Sequence, residues 1–117
     1  MKRAGQIVLF RFPQADLDVG KLRPAPMLGK LPGAYDDWLI CMISSQVYQY
    51  VQGFDELMSD GEIDFAASGL KTPSVIRIGR LAVVEGDILT GAVGHIVPER
   101  LQRIRQRLAD WIVAEHG

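Results

Sequence analysis

Apolar and polar residues alternate with a period of two at the start of the chain. In residues 5–12 (GQIVLFRF), Val8, Phe10 and Phe12 share one face, while Ile7 and Leu9 lie on the other with Arg11. This period predicts a strand, and both of its faces are largely apolar. Pro13 ends the strand, and residues 13–21 are predicted to form a polar loop.

The next segments are also predicted to be extended. Pro24 and Pro26 restrict residues 22–30 (LRPAPMLGK) to extended backbone. Because proline cannot donate a hydrogen bond to a ladder, we predict an edge strand or a strand paired on one side only. Pro–Gly within residues 31–37 predicts a hairpin turn. Residues 37–43 (DWLICMI) then predict a central strand buried on both faces.

The middle of the chain has a less regular pattern. Residues 45–62 combine a short alternation with a predicted helical turn at residues 55–58. Two short strands are predicted around residues 62–66 and 74–78. Residues 81–84 and 88–96 predict further strands, joined by a turn at Glu-Gly-Asp.

The last segment changes to a helical period. Apolar residues recur at helical spacing at Leu101, Ile104, Leu108, Trp111 and Ile112. Pro98 suits the first turn of a helix, and Glu99 complements the positive end of its dipole. We predict a helix that packs one apolar stripe and exposes a basic face. The arginines of that face are Arg100, Arg103, Arg105 and Arg107.

Several short strands closed by one helix predict a small antiparallel barrel or rolled sheet. At 117 residues the chain is expected to form a single domain over residues 1–117. Its apolar runs are too short to span a bilayer, and residues 1–5 do not resemble a signal peptide. The single cysteine, Cys41, lies within an apolar strand and is expected to be a core residue. A cytoplasmic location is therefore expected.

Charge is unevenly distributed along the chain, although the net charge is only −1. Residues 31–70 contain seven acids and no lysine or arginine, whereas the flanks hold all 13 basic residues against the other seven acids. The middle therefore carries −7 and the flanks +6. A chain polarised in this way is predicted to present a basic face to a polyanion despite its near-neutral total.

Most kinds of catalytic site find no support in the sequence. Two histidines and one cysteine give no metal-ligand spacing, and there is no phosphate-binding glycine loop or nucleophilic triad. Arginine and hydroxyl groups remain. Arg23 precedes Pro24, Arg77 interrupts an apolar strand, and Ser44 and Ser45 close the central strand. Such donors suit the binding or cleavage of a phosphodiester, with no cofactor.

Five short motifs in this order resemble the PemK/MazF family of toxin–antitoxin ribonucleases. The resemblance covers nearly the whole chain, and its specificity lies in the combination of motifs. They are G-x-I-V-x-F at 5–10, K-L-R-P-A at 21–25, I-S-S-Q at 43–46, S-V-I-R at 74–77 and R-L-A-V-V at 80–84. The resemblance implies an SH3-like antiparallel barrel of the CcdB, Kid and MazF type, with a C-terminal helix and assembly as a homodimer.

The activity implied by the resemblance is endonucleolytic cleavage of single-stranded mRNA without a metal. The products would be a 2',3'-cyclic phosphate and a 5'-hydroxyl, and a small acidic antitoxin protein would be the cognate partner. DNA would be contacted only through the antitoxin, and no membrane is implied. Three residues correspond to the family's catalytic positions. Arg23 matches the arginine that binds the phosphate, and Arg77 matches a second arginine used in some members. Ser44 stands where the family usually has threonine, and its hydroxyl would hold the scissile phosphate. The implied RNA-binding residues are Asp18, Lys21, Ser45 and Gln46.

The chain departs from the family pattern at its general base. Where many relatives continue Arg-Leu-Asp, Arg77 is followed by Ile78 and Gly79. Asp18, Glu85 or another group would have to take that role. Two alternatives therefore stay open. One is a non-catalytic barrel that acts on a protein such as DNA gyrase, and the other is a housekeeping SH3-like module that binds RNA or peptide without toxicity.

Overall fold

The computed structural model describes residues 2–13 and 20–116, which form one six-stranded antiparallel sheet, two helices and a short 3₁₀ turn. The strand order is β4-β5-β3-β2-β1-β6. Within these residues, no helix has the length and apolarity needed to cross a membrane. In chain order the elements are β1 (Gln6–Arg11), β2 (Leu22–Lys30), β3 (Asp37–Ser44), the 3₁₀ turn (Val47–Gln49), β4 (Glu56–Met58), α1 (Phe65–Ser68), β5 (Ser74–Glu85), β6 (Thr90–His95) and α2 (Pro98–Val113).

Strand β2 accommodates its two prolines by dividing its pairing between two neighbours. Pro24 lies opposite Leu9 and Pro26 opposite Ile7, both on β1, whereas Met27, Gly29 and Lys30 pair with β3. The predicted edge position is therefore wrong, because β2 lies inside the sheet. The lack of a proline N–H still limits the pairing of β2. The half of β2 that contains the prolines pairs with β1, and the other half pairs with β3.

The two faces of the sheet bury separate cores, as the alternation in β1 and β3 predicted. Ile7, Cys41 and Ile43 belong to the core beneath α2, whereas Val8 and Ile40 belong to the core on the opposite face. Successive residues of a strand point to opposite faces, so a strand with two apolar faces can serve both cores. Strand β3 is central, between β2 and β5, and its burial confirms the prediction.

Strand β5 is one long element rather than the two strands predicted at 74–78 and 81–84. It runs for 12 residues and bulges in the middle: Leu81 pairs with Cys41, and the next pair joins Arg77 to Met42. Residues 78–80 are therefore extra residues in β5. A bulge re-aims the side chains around it, and Arg77 and Arg80 lie at its two ends.

The segment between β3 and β5 also differs from prediction. Residues 55–58 do not form a helical turn, because Glu56–Met58 pair with β5 as the edge strand β4. Around residues 62–66 the chain forms turns and the one-turn helix α1 instead of a strand. Pairing with β5 overrides the weak local preference of residues 55–58.

Helix α2 begins with Pro98 in its first turn, as predicted. Leu101, Ile104 and Leu108 are buried against the sheet, whereas Trp111 and Ile112 are 51% and 60% exposed. The apolar stripe is therefore shorter than the spacing suggested.

The predicted exposed basic face of α2 is confirmed only in part: Arg103 and Arg105 are exposed and Arg107 is half-buried. Arg100 is buried, and its guanidinium contacts Glu56 at 2.8 Å, Glu62 at 3.0 Å and Asp64 at 3.0 Å. Arg103 and Arg107 also pair with Glu56. Acids from the middle of the chain thus neutralise arginines from the flank, because a charge can be buried only when it is paired.

Candidate functional site

A groove of about 610 Å³ opens on the face of the sheet opposite α2. Its floor continues the second core, with Phe10, Met42 and Ala82 packed against buried residues. Phe10 and Phe12 meet edge to face with their ring centroids 4.8 Å apart. The groove therefore has an apolar floor that remains open to solvent.

Strand register places two of the predicted catalytic residues at this groove. Arg23 of β2 lies opposite Phe10 of β1, and Arg77 of β5 lies opposite Met42 of β3. Directly paired residues share a face of the sheet, so both arginines are on the side of the apolar floor. Both line the groove.

The charged residues that line the groove all have the same sign. In the described part of the chain they are Lys21, Arg23, Arg77 and Arg80, and no carboxylate is among them. Lys21 was predicted to bind RNA. The cations surround an apolar floor that includes aromatic rings, and this combination suits a ligand with both phosphates and flat bases.

Arg77 is supported by a chain of hydrogen bonds that leads to the end of β3. Its NH1 donates to Gln49 Oε1 at 3.4 Å, and Gln49 Nε2 donates to Gln46 Oε1 at 3.3 Å. The backbone N–H of Gln46 in turn donates to Ser44 Oγ at 3.1 Å. Ser44 therefore begins the turn that carries Gln49 to the groove.

The structure does not bring Ser44, Ser45 or Gln46 to the groove lining. Ser44 is only 2% exposed, so in this conformation its hydroxyl cannot contact a phosphate in the groove as predicted. Ser45 and Gln46 are exposed, and Gln46 Oε1 accepts a hydrogen bond from the Tyr48 hydroxyl at 2.6 Å. Asp18, the fourth predicted RNA-binding residue, lies outside the described residues.

Two polar residues of the groove were missed from the sequence. Gln49 lies in a segment with no clear period, and Arg80 lies between the two strands predicted at 74–78 and 81–84. The spacing of two arginines around Gly79 was the available signal. Recognising it required the bulge, which depends on contacts with distant residues.

The groove has no evident general base among the described residues. Gly79 lines it where the resemblance predicts aspartate in many relatives, and Glu85 lies outside its lining.

The sequence expectation for Cys41 agrees with its position, since the thiol is fully buried. Burial first, and the nearby charge of Asp55 second, raise the pKa of Cys41 far above its usual value. Cys41 therefore stays a neutral core group.

Comparison with known proteins fits this geometry. No curated protein matches the chain by sequence. Among solved structures, "Mycobacterium tuberculosis toxin MazF-mt6" is similar, with a TM-score of 0.60, 16% identity, and coverage of 95% of this chain and 99% of that chain. That likeness confirms the predicted mainly β, barrel-like fold with a C-terminal helix. The family described as "PemK-like, MazF-like toxin of type II toxin-antitoxin system" matches residues 3–112, so this chain belongs to that toxin family.

Proposed function

We propose that the chain is a metal-independent endoribonuclease, the toxin of a type II toxin–antitoxin pair, that cleaves single-stranded mRNA at the groove. The observation that carries the proposal is the convergence of Arg23 and Arg77 on one groove with an apolar floor. Guanidinium groups bind phosphate through paired hydrogen bonds. Phe10 offers an aromatic surface on which an unpaired base can stack.

Cleavage needs little chemistry from the protein itself, because RNA carries its own nucleophile. The 2'-hydroxyl oxygen attacks the adjacent phosphorus and loses its proton, the P–O5' bond breaks, and O5' takes up a proton. The products are a 2',3'-cyclic phosphate and a 5'-hydroxyl. The protein must align these groups and stabilise the negative charge that grows on the phosphoryl oxygens.

Arg23 and Arg77 take that stabilising role in the proposal, with Lys21 and Arg80 binding neighbouring phosphates. Ser44 contributes indirectly, because its Oγ holds the Gln46 backbone at the start of the turn that brings Gln49 to Arg77. The proton acceptor is left to solvent, since the groove lining offers no carboxylate among the described residues.

The partners in this proposal follow from the charge of the groove and from the family. An acidic antitoxin protein would compete with RNA for the four cations, and the active form would be a homodimer in the cytoplasm, where mRNA is found. Exposed apolar residues outside the groove lining, such as Ile63 and Ile88, give the chain surface that a second copy could cover.

The decisive test is cleavage of a long single-stranded RNA by the purified protein in EDTA. We expect fragments with 5'-hydroxyl ends, which polynucleotide kinase labels without prior phosphatase treatment. Arg23→Ala should slow cleavage about 100-fold or more, because one transition-state donor is lost. Arg3→Ala removes the same charge from an exposed position outside the groove lining, and it should cleave as the wild type does.

Two outcomes would contradict the proposal. If Arg23→Ala cleaved as fast as the wild type, the groove would not be the catalytic site. If the wild type produced no fragments, the non-catalytic alternative, a barrel that acts on a protein partner, would gain support.

A further inference from the structure

Asp55 is a buried carboxylate that the proposed cleavage chemistry does not use. Only 3% of its surface is exposed. Its Oδ1 accepts the backbone N–H of Ile78 at 3.1 Å, and its Oδ2 accepts that of Val51 at 3.0 Å. Among the described residues its carboxylate makes no ion pair. Burying an acid is costly unless its oxygens are satisfied, so these two hydrogen bonds keep it in place.

The first hydrogen bond holds the bulge of β5. Ile78 is the first residue of the stretch that leaves the ladder with β3 after Arg77. A backbone N–H that loses its ladder partner inside a protein needs another acceptor, and Asp55 supplies it to Ile78. The direction in which Arg77 leaves the strand therefore depends on a carboxylate from the preceding loop.

The second hydrogen bond holds the other side of Arg77. Val51 follows closely on the turn that contains Gln49, and Gln49 Oε1 accepts from Arg77 NH1 at 3.4 Å. One carboxylate thus fixes the backbone next to Arg77 and the segment that carries its side-chain partner. Arg107 anchors Asp55 in turn, since its NH1 donates to the Asp55 backbone carbonyl at 2.7 Å.

We propose that Asp55 is a positioning residue that sets the Arg77 guanidinium in the groove for the scissile phosphate. The inference rests on the proposed function for its substrate. In this proposal the Asp55 carboxylate acts through its hydrogen bonds to the backbone N–H groups of Ile78 and Val51. It is not a base at the reacting atoms. Binding of RNA elsewhere along the groove should depend on it much less.

The kinetic test compares Asp55→Asn with Asp60→Asn. Asp55→Asn keeps the size of the side chain but replaces one carboxylate oxygen with an NH2 group. That NH2 group would face the backbone N–H of Ile78 or Val51, which it cannot accept. We expect kcat per folded molecule to fall about 10- to 100-fold, because misplacement of a catalytic group by about 1 Å has such effects. KM should change by less than about threefold, because most of the groove is intact. Asp60 is exposed, and Asp60→Asn should match the wild type.

An NMR measurement tests positioning without cleavage. The probe is a single-stranded oligodeoxynucleotide, which lacks the 2'-hydroxyl and is not cut. In the wild type and in Asp60→Asn we expect the Arg77 Nε–Hε signal to shift on titration. In Asp55→Asn that signal and the Ile78 amide should start from different positions, and Arg77 should shift less. Arg77→Lys identifies the arginine signal by its disappearance.

The outcomes separate this inference from the proposed function. A wild type that does not cut RNA overturns the function, and the NMR comparison still decides the role of Asp55. A wild type that cuts RNA while Asp55→Asn retains full kcat and an unchanged Arg77 signal overturns the positioning role alone. If Asp55→Asn does not fold, Asp55→Ser, which keeps one acceptor oxygen, takes its place in both measurements.

Discussion

Arg23 and Arg77 reach the groove by different means. Arg23 projects from a regular part of β2, opposite Phe10, whereas Arg77 stands at the start of a bulge and depends on Gln49 and Asp55. Between Arg77 and Arg80, Gly79 lines the groove without a side chain. The family resemblance predicts aspartate near this position in many relatives, and this chain has glycine there.

Gly79→Asp is not expected to restore a general base. An added Cβ would lie 3.4 Å from the Phe54 ring, and Phe54 packs against the core beneath α2 and is outside the groove lining. A carboxylate at position 79 would therefore project away from the groove, where the 2'-hydroxyl would lie. We expect kcat to stay within about threefold of the wild type, well short of the roughly 100-fold that a placed general base contributes. The measurement is single-turnover cleavage of one RNA, with Gly79→Asn as the uncharged control of similar size. A gain of about tenfold or more in Gly79→Asp alone would contradict this expectation.

At the level of secondary structure, elements with a clear period were predicted and those defined by distant contacts were not. β1, β3 and α2 follow from alternation or helical spacing that continues over six to 16 residues. β4 is three residues long and exists because it pairs with β5. Its Glu56 binds Arg100, which is 44 residues further along the chain. No local pattern carries that information.

The candidate site divides in the same way. Arg23 and Arg77 were predicted from their positions on or next to strands, and Lys21 from the family resemblance. All three line the groove. Ser44 was expected at the phosphate but is buried, because its hydroxyl accepts the Gln46 N–H at the turn that follows. Whether a strand-end serine faces a site or caps a turn depends on the loop after it, and that loop had no readable period.

Removal of one member from the acid–arginine cluster between the middle segment and α2 should be strongly destabilising. Asp64 is buried, and it binds Arg100 Nε at 3.0 Å and the Val97 N–H at 3.2 Å. Burial acts to raise the pKa of Asp64, but these hydrogen bonds and the charge of Arg100 outweigh it and hold the pKa below its usual value. The charged form of Asp64 is therefore favoured in the folded protein.

Asp64→Asn is expected to lower the free energy of unfolding at pH 7 by about 3 kcal/mol, because one member of a buried pair is removed. A carboxyl with a lowered folded-state pKa stabilises above its unfolded pKa of about 3.9, and the contribution is lost as the pH falls through the folded value. The difference between variant and wild type should therefore shrink below about pH 4. Urea unfolding at several pH values measures it, and exposed Asp60→Asn should stay within about 0.5 kcal/mol. A difference that did not vary with pH would exclude this account.

For the molecule as a whole, the net charge of −1 hides a separation of charge in space. Acids of the middle segment are paired with arginines of α2 on one face of the sheet, while four cations surround the groove on the other. Among the described residues, none of these four cations makes an ion pair. The groove should therefore attract a polyanion although the total charge is slightly negative.

This separation predicts a salt dependence for nucleic-acid binding. Each phosphate neutralised on a single strand contributes about −0.7 to the slope of log K against log salt, so four cations give a slope of about −3. Anisotropy of a labelled oligodeoxynucleotide between low and moderate salt measures it. Arg80→Ala should reduce the slope by about 0.7, whereas Arg3→Ala should leave it unchanged. A slope near zero in the wild type would show that the groove does not bind the backbone.

The pairing of Glu56 and Asp64 with Arg100 also bears on how the protein is made. The two carboxylates emerge from the ribosome well before the guanidinium that permits their burial, 44 and 36 residues ahead of it. Until Arg100 is synthesised, nothing neutralises the charges of Glu56 in β4 and Asp64 just before α1. Both carboxylates are buried in the folded protein. A nascent chain thus cannot complete its fold while the ribosome is still reading the first part of the message. The cleavage activity proposed above would therefore be delayed until the segment that carries Arg100 has left the ribosome.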